Sequence, residues 1–440
     1  MTVPPTTAAT SADTSFFGHP RGLSTLFFTE MWERFSYYGM RGFLILYMTK
    51  ALGFTDQHAG LSYGNYVSSV WLTPILGGLI ADRWLGHYRS VLIGGAIIAL
   101  GHFTLAFPGL PFFYAGLTLI VLGTGLLKPN ISTLVGSLYA PGDERRDAGF
   151  SIFYMGINLG AFLGPLIAGK LAEGVDWHLG FACAGVGMVL GLVQYVLGRS
   201  RLQPAIERLA ARPRPATGGS AAAAPALTGE DWRRIAAVVV LFVFASLFWG
   251  AYEQAGSTLN LFADRYVNLQ FLGIKLYASW FVSIQAAFVI LLSPLFAWLW
   301  VRLGPRQPSS PAKFAFALVF VGLAFVLLMP AGALAQTGVK VSPLWLVAAY
   351  FIQELGELCL SPVGLSLVTK LAPVRLVGLL MGVFFLSNSA GNWLAGWSAR
   401  FISTMPLVQL FGTTAAVTLG AGVLLFFLLK PIRNLMGGVR

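Results

Sequence analysis

The chain has 440 residues, of which 56% are hydrophobic and only 10% are charged, with a mean hydropathy of +0.72. Soluble globular domains carry about 25% charged residues, so this composition excludes them and indicates an integral membrane protein. The net charge of +12 does not indicate nucleic-acid binding, because most Lys and Arg residues lie in alternate loops between apolar segments.

The first 22 residues are polar and lack the basic and apolar regions of a signal peptide, so they predict a disordered cytoplasmic tail. Beyond them, a membrane-spanning helix needs about 20 apolar residues. The segments that meet this length lie near 23–50, 61–84, 89–109, 111–139, 148–170, 177–198, 233–261, 276–301, 313–335, 343–369, 376–399 and 407–430. They predict an all-α membrane protein with twelve transmembrane helices.

The Lys and Arg residues favour one side of these predicted spans. The N-terminal segment, the linker and alternate loops hold most of them, which is the positive-inside bias of cytoplasmic segments. This bias predicts a multi-pass protein of the cell inner membrane with both termini in the cytoplasm.

The first predicted span contains charged residues despite its length. Its polar and charged residues follow helical spacing along one stripe, at Glu30, Glu33, Arg34, Tyr37, Tyr38 and Arg41. The opposite face of the helix is free to contact lipid, so the stripe is expected to face the protein interior.

The loop after the second predicted span reads "PILGGLIADRWLGHYRS". Gly78, Asp82 and Arg83 in this loop resemble the Gly-x-x-x-Asp-Arg loop of the major facilitator superfamily. The resemblance implies a transporter with two six-helix bundles around a central cavity.

A polar stretch rich in Arg, Pro, Gly and Ala divides the chain at 199–232. Its composition predicts a cytoplasmic linker. The expected domains are therefore an N-terminal bundle at 23–198 and a C-terminal bundle at 233–440. The linker is too short and too polar for two further spans, so we predict twelve spans and not fourteen.

Ionisable residues at membrane depth include more acids than bases. Beyond Glu30, Glu33, Arg34 and Arg41 of the first span, they are Lys128, Glu253, Glu354 and Glu357. Each charge costs about 2.5–3.5 kcal/mol at a helix centre, so these groups must pair or line a water-filled cavity. Fixed ion pairs between helices would explain some of them, but at least two carboxylates have no basic partner. Such a carboxylate can bind a proton near neutral pH, which predicts a proton-coupled transporter.

Four segments resemble the proton-dependent oligopeptide transporter family. They are "EMWERFSYYGMR" at 30–41, "FSIFYMGINLGAFLGPLIAG" at 150–169, "FWGAYEQAGS" at 248–257 and "GELCLSPVGLSLVTKLAP" at 356–373. The resemblance extends from about residue 22 to residue 435. It implies proton-driven import of di- and tripeptides by alternating access.

The resemblance also implies roles for the charged residues. It assigns the peptide carboxylate to Arg41 and Lys128 and the peptide amine to Glu357. A zwitterionic peptide needs cations at one end and an anion at the other, so the ligand would bridge the two bundles. Glu354 receives no role from the resemblance.

Two ion pairs between the bundles follow as hypotheses. Arg41 with Glu253 would close the periplasmic side, and Lys128 with Glu357 would close the cytoplasmic side. Glu33 with Arg34, and Glu30 near Lys128, would couple proton binding to these gates.

Further pocket residues follow from the family motifs. They are Tyr37, Tyr38, Tyr154, Asn158, Trp249, Gln254, Gln285, Ser361 and Phe384. The chain departs from the family at several positions, among them Ala286, where proline is usual. Gly64 stands where many members have a proton-sensitive histidine, Gln285 where asparagine is common, and Phe384 where tryptophan is expected, so coupling through that histidine is excluded and the peptide preference is open.

Several alternatives remain at this point. Relatives in the family carry nitrate or other small solutes, and the chain could instead be a proton-coupled drug exporter or a peptide sensor without transport. Glu357 would suit an amine and repel an anion, which favours peptides. The sequence shows no nucleophile–base arrangement and no metal-ligand spacing, so we expect no enzyme activity, no cofactor other than protons, and no bound metal. The expected partners are peptides and the lipid bilayer, with no nucleic acid and a monomeric state.

Overall fold

The structure of the protein, a computed structural model, describes residues 13–140, 142–211, 228–371 and 377–436. These residues are mainly helical. The helices are α1 (Gly22–Lys50), α2 (Asp56–Ile80), α3 (His87–Leu105), α4 (Leu110–Ser137), α5 (Arg145–Gly164), α6 (Lys170–Gly174), α7 (Trp177–Leu197), α8 (Arg199–Ala210), α9 (Gly229–Tyr252), α10 (Thr258–Tyr266), α11 (Trp280–Leu303), α12 (Ser310–Gln336), α13 (Leu344–Leu371), α14 (Val377–Ala399) and α15 (Leu407–Leu435). A short hairpin of β1 (Gln270–Phe271) and β2 (Ile274–Lys275) joins α10 to α11.

Twelve helical crossings result from these elements. A π-helical turn at Pro165–Gly169 continues α5 into α6, and a 3-10 turn at Glu253–Gly256 continues α9 into α10, so each pair forms one crossing. Within the described ranges, nine segments are long and apolar enough to span a membrane by composition alone. The helix α1 is excluded from these nine because of its charged stripe. The all-helical fold with twelve crossings agrees with the sequence prediction.

The two ends of the molecule are distinguished by the helix ends and loops that lie there. An even number of crossings places the start of α1 and the end of α15 at one end, which we call the termini end. The opposite end, called the distal end, holds the end of α1, the start of α2, the end of α10 and the β hairpin.

The predicted linker contains a helix that sequence analysis missed. Helix α8 lies within the expected linker at 199–232 and buries Leu202 and Ala205. Arg208 donates hydrogen bonds to the backbone oxygens of Ser137 and Leu138, at 3.0 and 2.7 Å, where α4 ends with unpaired carbonyls. The helix is short, charged and contains a proline, so its hydropathy gave no signal. Residues 212–227 lie outside the described residues.

Part of the predicted disordered tail is ordered against the N-terminal bundle. Asp13 accepts a hydrogen bond from the backbone of Arg21 at 2.8 Å, and Arg145 donates to the backbone oxygen of Gly18 at 3.0 Å. The prediction was therefore wrong for residues 13–21, because these polar groups find partners on the bundle; residues 1–12 lie outside the described residues. Hydrogen bonds from Arg145 also lower the pKa of the exposed Asp143 carboxyl, so this carboxylate stays ionised near neutral pH.

Close helix packing joins the bundles in the distal half. A Cβ atom on Gly396 of α14 would lie 2.4 Å from the Cα atom of Gly64 and 2.6 Å from the backbone oxygen of Gly60, both on α2. Only glycines allow this approach, because real Cβ atoms do not come so close to other atoms. A side chain at position 64 would also meet α14, because its Cβ atom would lie 3.0 Å from the backbone oxygen of Trp393.

Candidate functional site

An acidic cluster with one arginine lies inside the N-terminal bundle. Arg34 contacts Glu30 at 3.1 Å and also pairs with its neighbour Glu33, as predicted for this residue. All three side chains are buried, and one oxygen of each glutamate has no hydrogen-bond partner among the described residues. Lys128 is close enough to interact electrostatically with both glutamates. One arginine therefore contacts two buried carboxylates.

The predicted contact between Arg41 and Glu253 is present and joins the two bundles. Both side chains are buried, and their charged groups are in direct contact. Glu253 starts the 3-10 turn between α9 and α10, and this break in the helix directs it toward α1. The Arg41 Nε atom also donates a hydrogen bond to the hydroxyl of Tyr63 on α2, at 2.7 Å. Two partners thus hold the guanidinium in place.

Two more ion pairs join the bundles nearer the distal surface. Lys50 pairs with Asp264 at 2.5 Å, and Arg265 donates two hydrogen bonds to Asp56, at 2.8 and 2.5 Å. We call these two pairs the outer latch. All ion pairs between the bundles that the described residues form lie in the distal half.

Backbone and side-chain hydrogen bonds add to this closure. Asn260 donates to the backbone oxygen of Gly42 at 2.5 Å, and Ser389 of α14 donates to the backbone of Ser68 on α2 at 3.0 Å. The distal end is therefore closed by charged, polar and glycine contacts together.

Lys128 does not form its predicted pair with Glu357 within the described part of the chain. Its ammonium lies over the indole ring of Trp71, 3.3 Å from the ring centroid. In this conformation, which is closed at the distal end, an aromatic ring on α2 holds the cation, so the predicted pair stays a prediction for the state closed at the termini end. In this conformation the Lys128 ammonium and the Glu357 carboxylate are therefore not bound to each other.

Glu357 lies on the C-terminal bundle and lacks a cationic partner in the described structure. It is 5% exposed, and its Oε2 atom has no hydrogen-bond partner. Tyr154 of α5 is near enough to interact with it electrostatically and is 40% exposed, while Asn158 donates to the backbone oxygen of Tyr154 at 2.9 Å. The Ser361 hydroxyl lies one helical turn from Glu357 and interacts with its carboxylate. These groups place an anion beside the hydroxyls of Tyr154 and Ser361.

The remaining predicted pocket residues are mostly buried. Tyr37 stacks edge-on against Tyr38, and Gln285 donates to Gln353 at 3.1 Å. The Trp249 indole nitrogen, the Tyr37 hydroxyl and the Gln254 carbonyl oxygen have no hydrogen-bond partner in the described ranges. Phe384 packs edge-on against Phe242 and contributes only apolar surface.

A cavity of about 830 Å³ lies at the termini end. Ser132 and Thr133 of α4 line it together with Arg146 and Arg208. Ser132 is one helical turn beyond Lys128, so the cavity lies along the same face of α4 as this cation. The residues that line this cavity belong to α4, the segment after it, α5 and α8, so the cavity does not lie between the two bundles.

Neither nearby histidine is paired with a charged group of the site. His58 stacks on Phe54 with ring centroids 4.0 Å apart and contacts the Tyr114 hydroxyl at 3.2 Å, at the distal end. His102 is fully buried, and both of its ring nitrogens lack partners among the described residues.

Sequence analysis missed Tyr63, Trp71, and the hydrogen bond from Tyr252 to Glu354. The aromatic residues of α2 recur near helical spacing, and this pattern could have indicated a face toward the cavity. Nothing in the sequence pairs Tyr252 with Glu354. No three His, Cys, Asp or Glu side chains of the described residues form a group that could hold a metal ion.

The chain is similar to one family of transporters both in sequence and in structure. The model of the POT family matches residues 88–207 and 220–417. An uncharacterized transporter, YclF, of Bacillus subtilis (strain 168) is 41% identical, covering 96% of each chain, and a di-/tripeptide transporter of Lactococcus lactis subsp. cremoris is 36% identical, covering 97% of this chain and 98% of its own. The crystal structure of the peptide transporter POT in complex with sulfate superposes with a TM-score of 0.89, at 41% identity over 98% of both chains.

Proposed function

Because the chain belongs to the POT family, we propose that it is a proton-coupled symporter that imports di- and tripeptides. One observation carries the proposal: Arg41 and Lys128 lie on the N-terminal bundle, whereas Glu357, which forms no ion pair with a cation of the described residues, lies on the C-terminal bundle. A peptide with a carboxylate at one end and an amine at the other complements this arrangement. The name of the Lactococcus relative supports the peptide size.

The two cations would bind the peptide carboxylate in different ways. Lys128 lies over the Trp71 ring and forms no ion pair with a carboxylate of the described residues, so it can accept the substrate directly. Arg41 is bound to Glu253, so its guanidinium becomes available when Glu253 is neutralised. The amine would pair with Glu357, beside the hydroxyls of Tyr154 and Ser361.

Proton binding would release the distal closure. A proton on Glu253 removes the charge that holds Arg41, and the weaker outer latch can then separate. Glu30, Glu33 and Arg34 form a second acceptor inside the N-terminal bundle and would pass protons toward Lys128. The bundles would then expose the site alternately at the two ends, with the Lys128–Glu357 pair closing the termini end in the opposite state.

The protein would act in the cell inner membrane as a monomer, with the termini end in the cytoplasm. The excess of Lys and Arg in the loops at that end supports this orientation. The distal end, which is closed in the described structure, would therefore face away from the cytoplasm. No bond is made or broken in this function, so we expect no enzyme activity and no cofactor besides the coupling proton.

A nitrate carrier is the second candidate, and Glu357 argues against it. This carboxylate would repel an anion in the cavity, whereas it would attract the amine of a peptide. A drug exporter would not need cations and an anion on facing bundles. A peptide sensor would bind the same ligand but move no protons.

Transport assays with purified protein test these alternatives. Radiolabelled dialanine, alanine and nitrate are offered to proteoliposomes under an inward proton gradient, with Glu33→Gln in parallel. We expect gradient-driven accumulation of dialanine alone, and its loss in the variant. Saturable dialanine binding without accumulation would instead indicate a sensor, and accumulation of nitrate would overturn the peptide assignment.

A further inference from the structure

Glu354 is a buried acid for which the proposed transport cycle has no role. It lies on α13 and is completely shielded from solvent. Its Oε1 atom accepts a hydrogen bond from the Tyr252 hydroxyl at 2.8 Å, whereas Oε2 has no partner. No Lys, Arg or His forms an ion pair with Glu354 in the described part of the chain.

The groups that face Glu354 do not compensate a negative charge. Tyr252 ends α9, Glu253 follows it, and Glu357 lies one turn away on the same face of α13; each interacts with Glu354 electrostatically. Helix α11 contributes the amide of Gln285, which is hydrogen-bonded to Gln353.

Other charged groups on the helices around α13 belong to different contacts. Lys313 of α12 donates to Gln307 at 2.8 Å and lies over the Trp300 ring. Arg302 of α11 lies over Trp298 at the other side of the bundle, near the termini end. The start of α9 carries Glu230 and Arg234, which pair with each other, along with Asp231 and Arg233, and α14 has no charged residue in its sequence. The acid at 354 is thus surrounded by other acids and neutral groups.

Glu354 and Glu357 cannot both be ionised at low energetic expense. Their side chains are neighbours on one helix face, and both are at least nine-tenths buried. Two like charges in a dry environment repel each other strongly, so a pair of this kind holds a proton on one member. Their surroundings differ: Glu357 is slightly exposed and lies near Tyr154 of the facing bundle, whereas Glu354 is fully enclosed.

We propose that Glu354 is a proton-binding site of the C-terminal bundle, and that its proton keeps Glu357 the single anion that receives the peptide amine. This inference rests on the proposed function for the role of Glu357. Tyr252 donates to the carbonyl oxygen of the protonated acid, which leaves the O–H group on the Oε2 side. The proton is taken from water and returned to water, and no other bond changes.

Infrared spectroscopy of the peptide-free protein tests the site directly. A neutral carboxylic acid has a C=O stretching band that is separate from the bands of carboxylates. We expect wild-type protein at neutral pH to show such a band and Glu354→Gln to lose it. Glu207→Gln, at an exposed residue of α8, is the matched control and should leave the band in place.

Two further variants make the assignment falsifiable even if Glu354→Gln does not fold. Tyr252→Phe removes the hydrogen bond to the carbonyl oxygen, so the band should move to higher frequency without losing intensity. Glu357→Gln should keep the band and weaken dialanine binding more than tenfold. Spectra of wild type and Glu354→Gln that superpose, a band unmoved by Tyr252→Phe, or a band lost in Glu357→Gln would each overturn the proposal.

The infrared measurement separates this inference from the proposed function. It requires no substrate, so it reports the protonation of Glu354 even if dialanine is not transported. A protein that shows the band but neither binds nor accumulates dialanine would retain the proton site and refute the peptide function. In that case the role of Glu357 as amine partner would also be overturned.

Discussion

Arg41 on α1 and Glu253 at the break between α9 and α10 are in direct ionic contact, and both are buried. Removing one member of a buried ion pair typically costs about 3–5 kcal/mol, because the other charge is left without compensation. The contact joins the two bundles, so its strength determines how readily the distal end opens.

Glu253→Gln should separate proton coupling from peptide exchange. The amide cannot ionise, but it still offers Arg41 a hydrogen-bond acceptor. We expect gradient-driven dialanine uptake to fall by more than about tenfold, equivalent to 1.4 kcal/mol, while dialanine counterflow without a gradient falls much less. Asp264→Asn, in the outer latch, serves as control. Gradient-driven uptake at the wild-type level in Glu253→Gln would contradict the role of the pair.

An exchange of charges tests the same contact from the other direction. Arg41→Glu with Glu253→Arg rebuilds an ion pair between the bundles, although it alters the cation offered to the peptide. We expect each single variant to lose uptake and the double variant to regain part of it. No recovery in the double variant would count against the gate.

The two ion pairs of the outer latch should contribute unequally to the stability of the closed distal end. Lys50 is 46% exposed, and an exposed pair contributes only about 0–1 kcal/mol. Arg265 is less exposed and binds Asp56 through two hydrogen bonds. We expect Arg265→Ala to increase the population open at the distal end more than Lys50→Ala does.

Spin-label distances measure this effect. Labels on Ala51→Cys and Thr404→Cys, in a background without Cys183 and Cys359, report the separation of the bundles at the distal end. Arg265→Ala and Asp56→Asn should have the same effect, and their combination should add nothing, because both remove one interaction. Additive effects would show that the residues act separately.

Gly396→Ala should hold the distal end apart. The new Cβ atom would lie 2.4 Å from the Cα atom of Gly64, so α2 and α14 must separate. We expect the distance between the same two labels to increase and dialanine uptake to decrease. Gly420→Ala on α15 is the matched control, since its Cβ atom would meet nothing within 4 Å. An unchanged distance in Gly396→Ala would refute the role of this packing.

Trp71 should contribute to peptide binding through Lys128. A cation over an aromatic face gains about 0.5–2 kcal/mol, so Trp71→Ala should weaken dialanine binding roughly 2- to 30-fold. Trp71→Phe keeps an aromatic face and should recover much of the affinity. Calorimetric titration measures both, and equal affinities for Trp71→Ala and wild type would show that the stacked ring does not position the cation.

Hydropathy and charge alone predicted the fold class and the number of crossings, because both depend on composition within about 20 residues. They did not predict α8, because this helix is short and charged. Its stability depends on the burial of Leu202 and on the hydrogen bonds from Arg208 to the end of α4. The tail at 13–21 was missed for the same reason: its order depends on Arg145, far along the chain.

For the charged stripe of α1, the sequence pattern predicted which helix face carries the charges but not all of their contacts. Helical spacing placed Glu30, Glu33, Arg34 and Arg41 on one face, and the family resemblance suggested the partner of Arg41. The contact of Lys128 with Trp71 was not predictable, because it depends on which end of the molecule is closed. The hydrogen bond between Tyr252 and Glu354 likewise required the packing of α9 against α13.

The sequence by itself determined that this protein is a helical membrane protein, that its membrane-depth acids outnumber its bases, and which helix faces carry them. These properties follow from local composition and helical periodicity. Only the tertiary structure decided which charges meet, because a bundle in one conformation satisfies some groups and leaves others without partners. Arg41 forms an ion pair with Glu253, and Lys128 lies over the ring of Trp71. Glu354 and Glu357 are neighbours on α13, and neither forms an ion pair with a cation of the described residues.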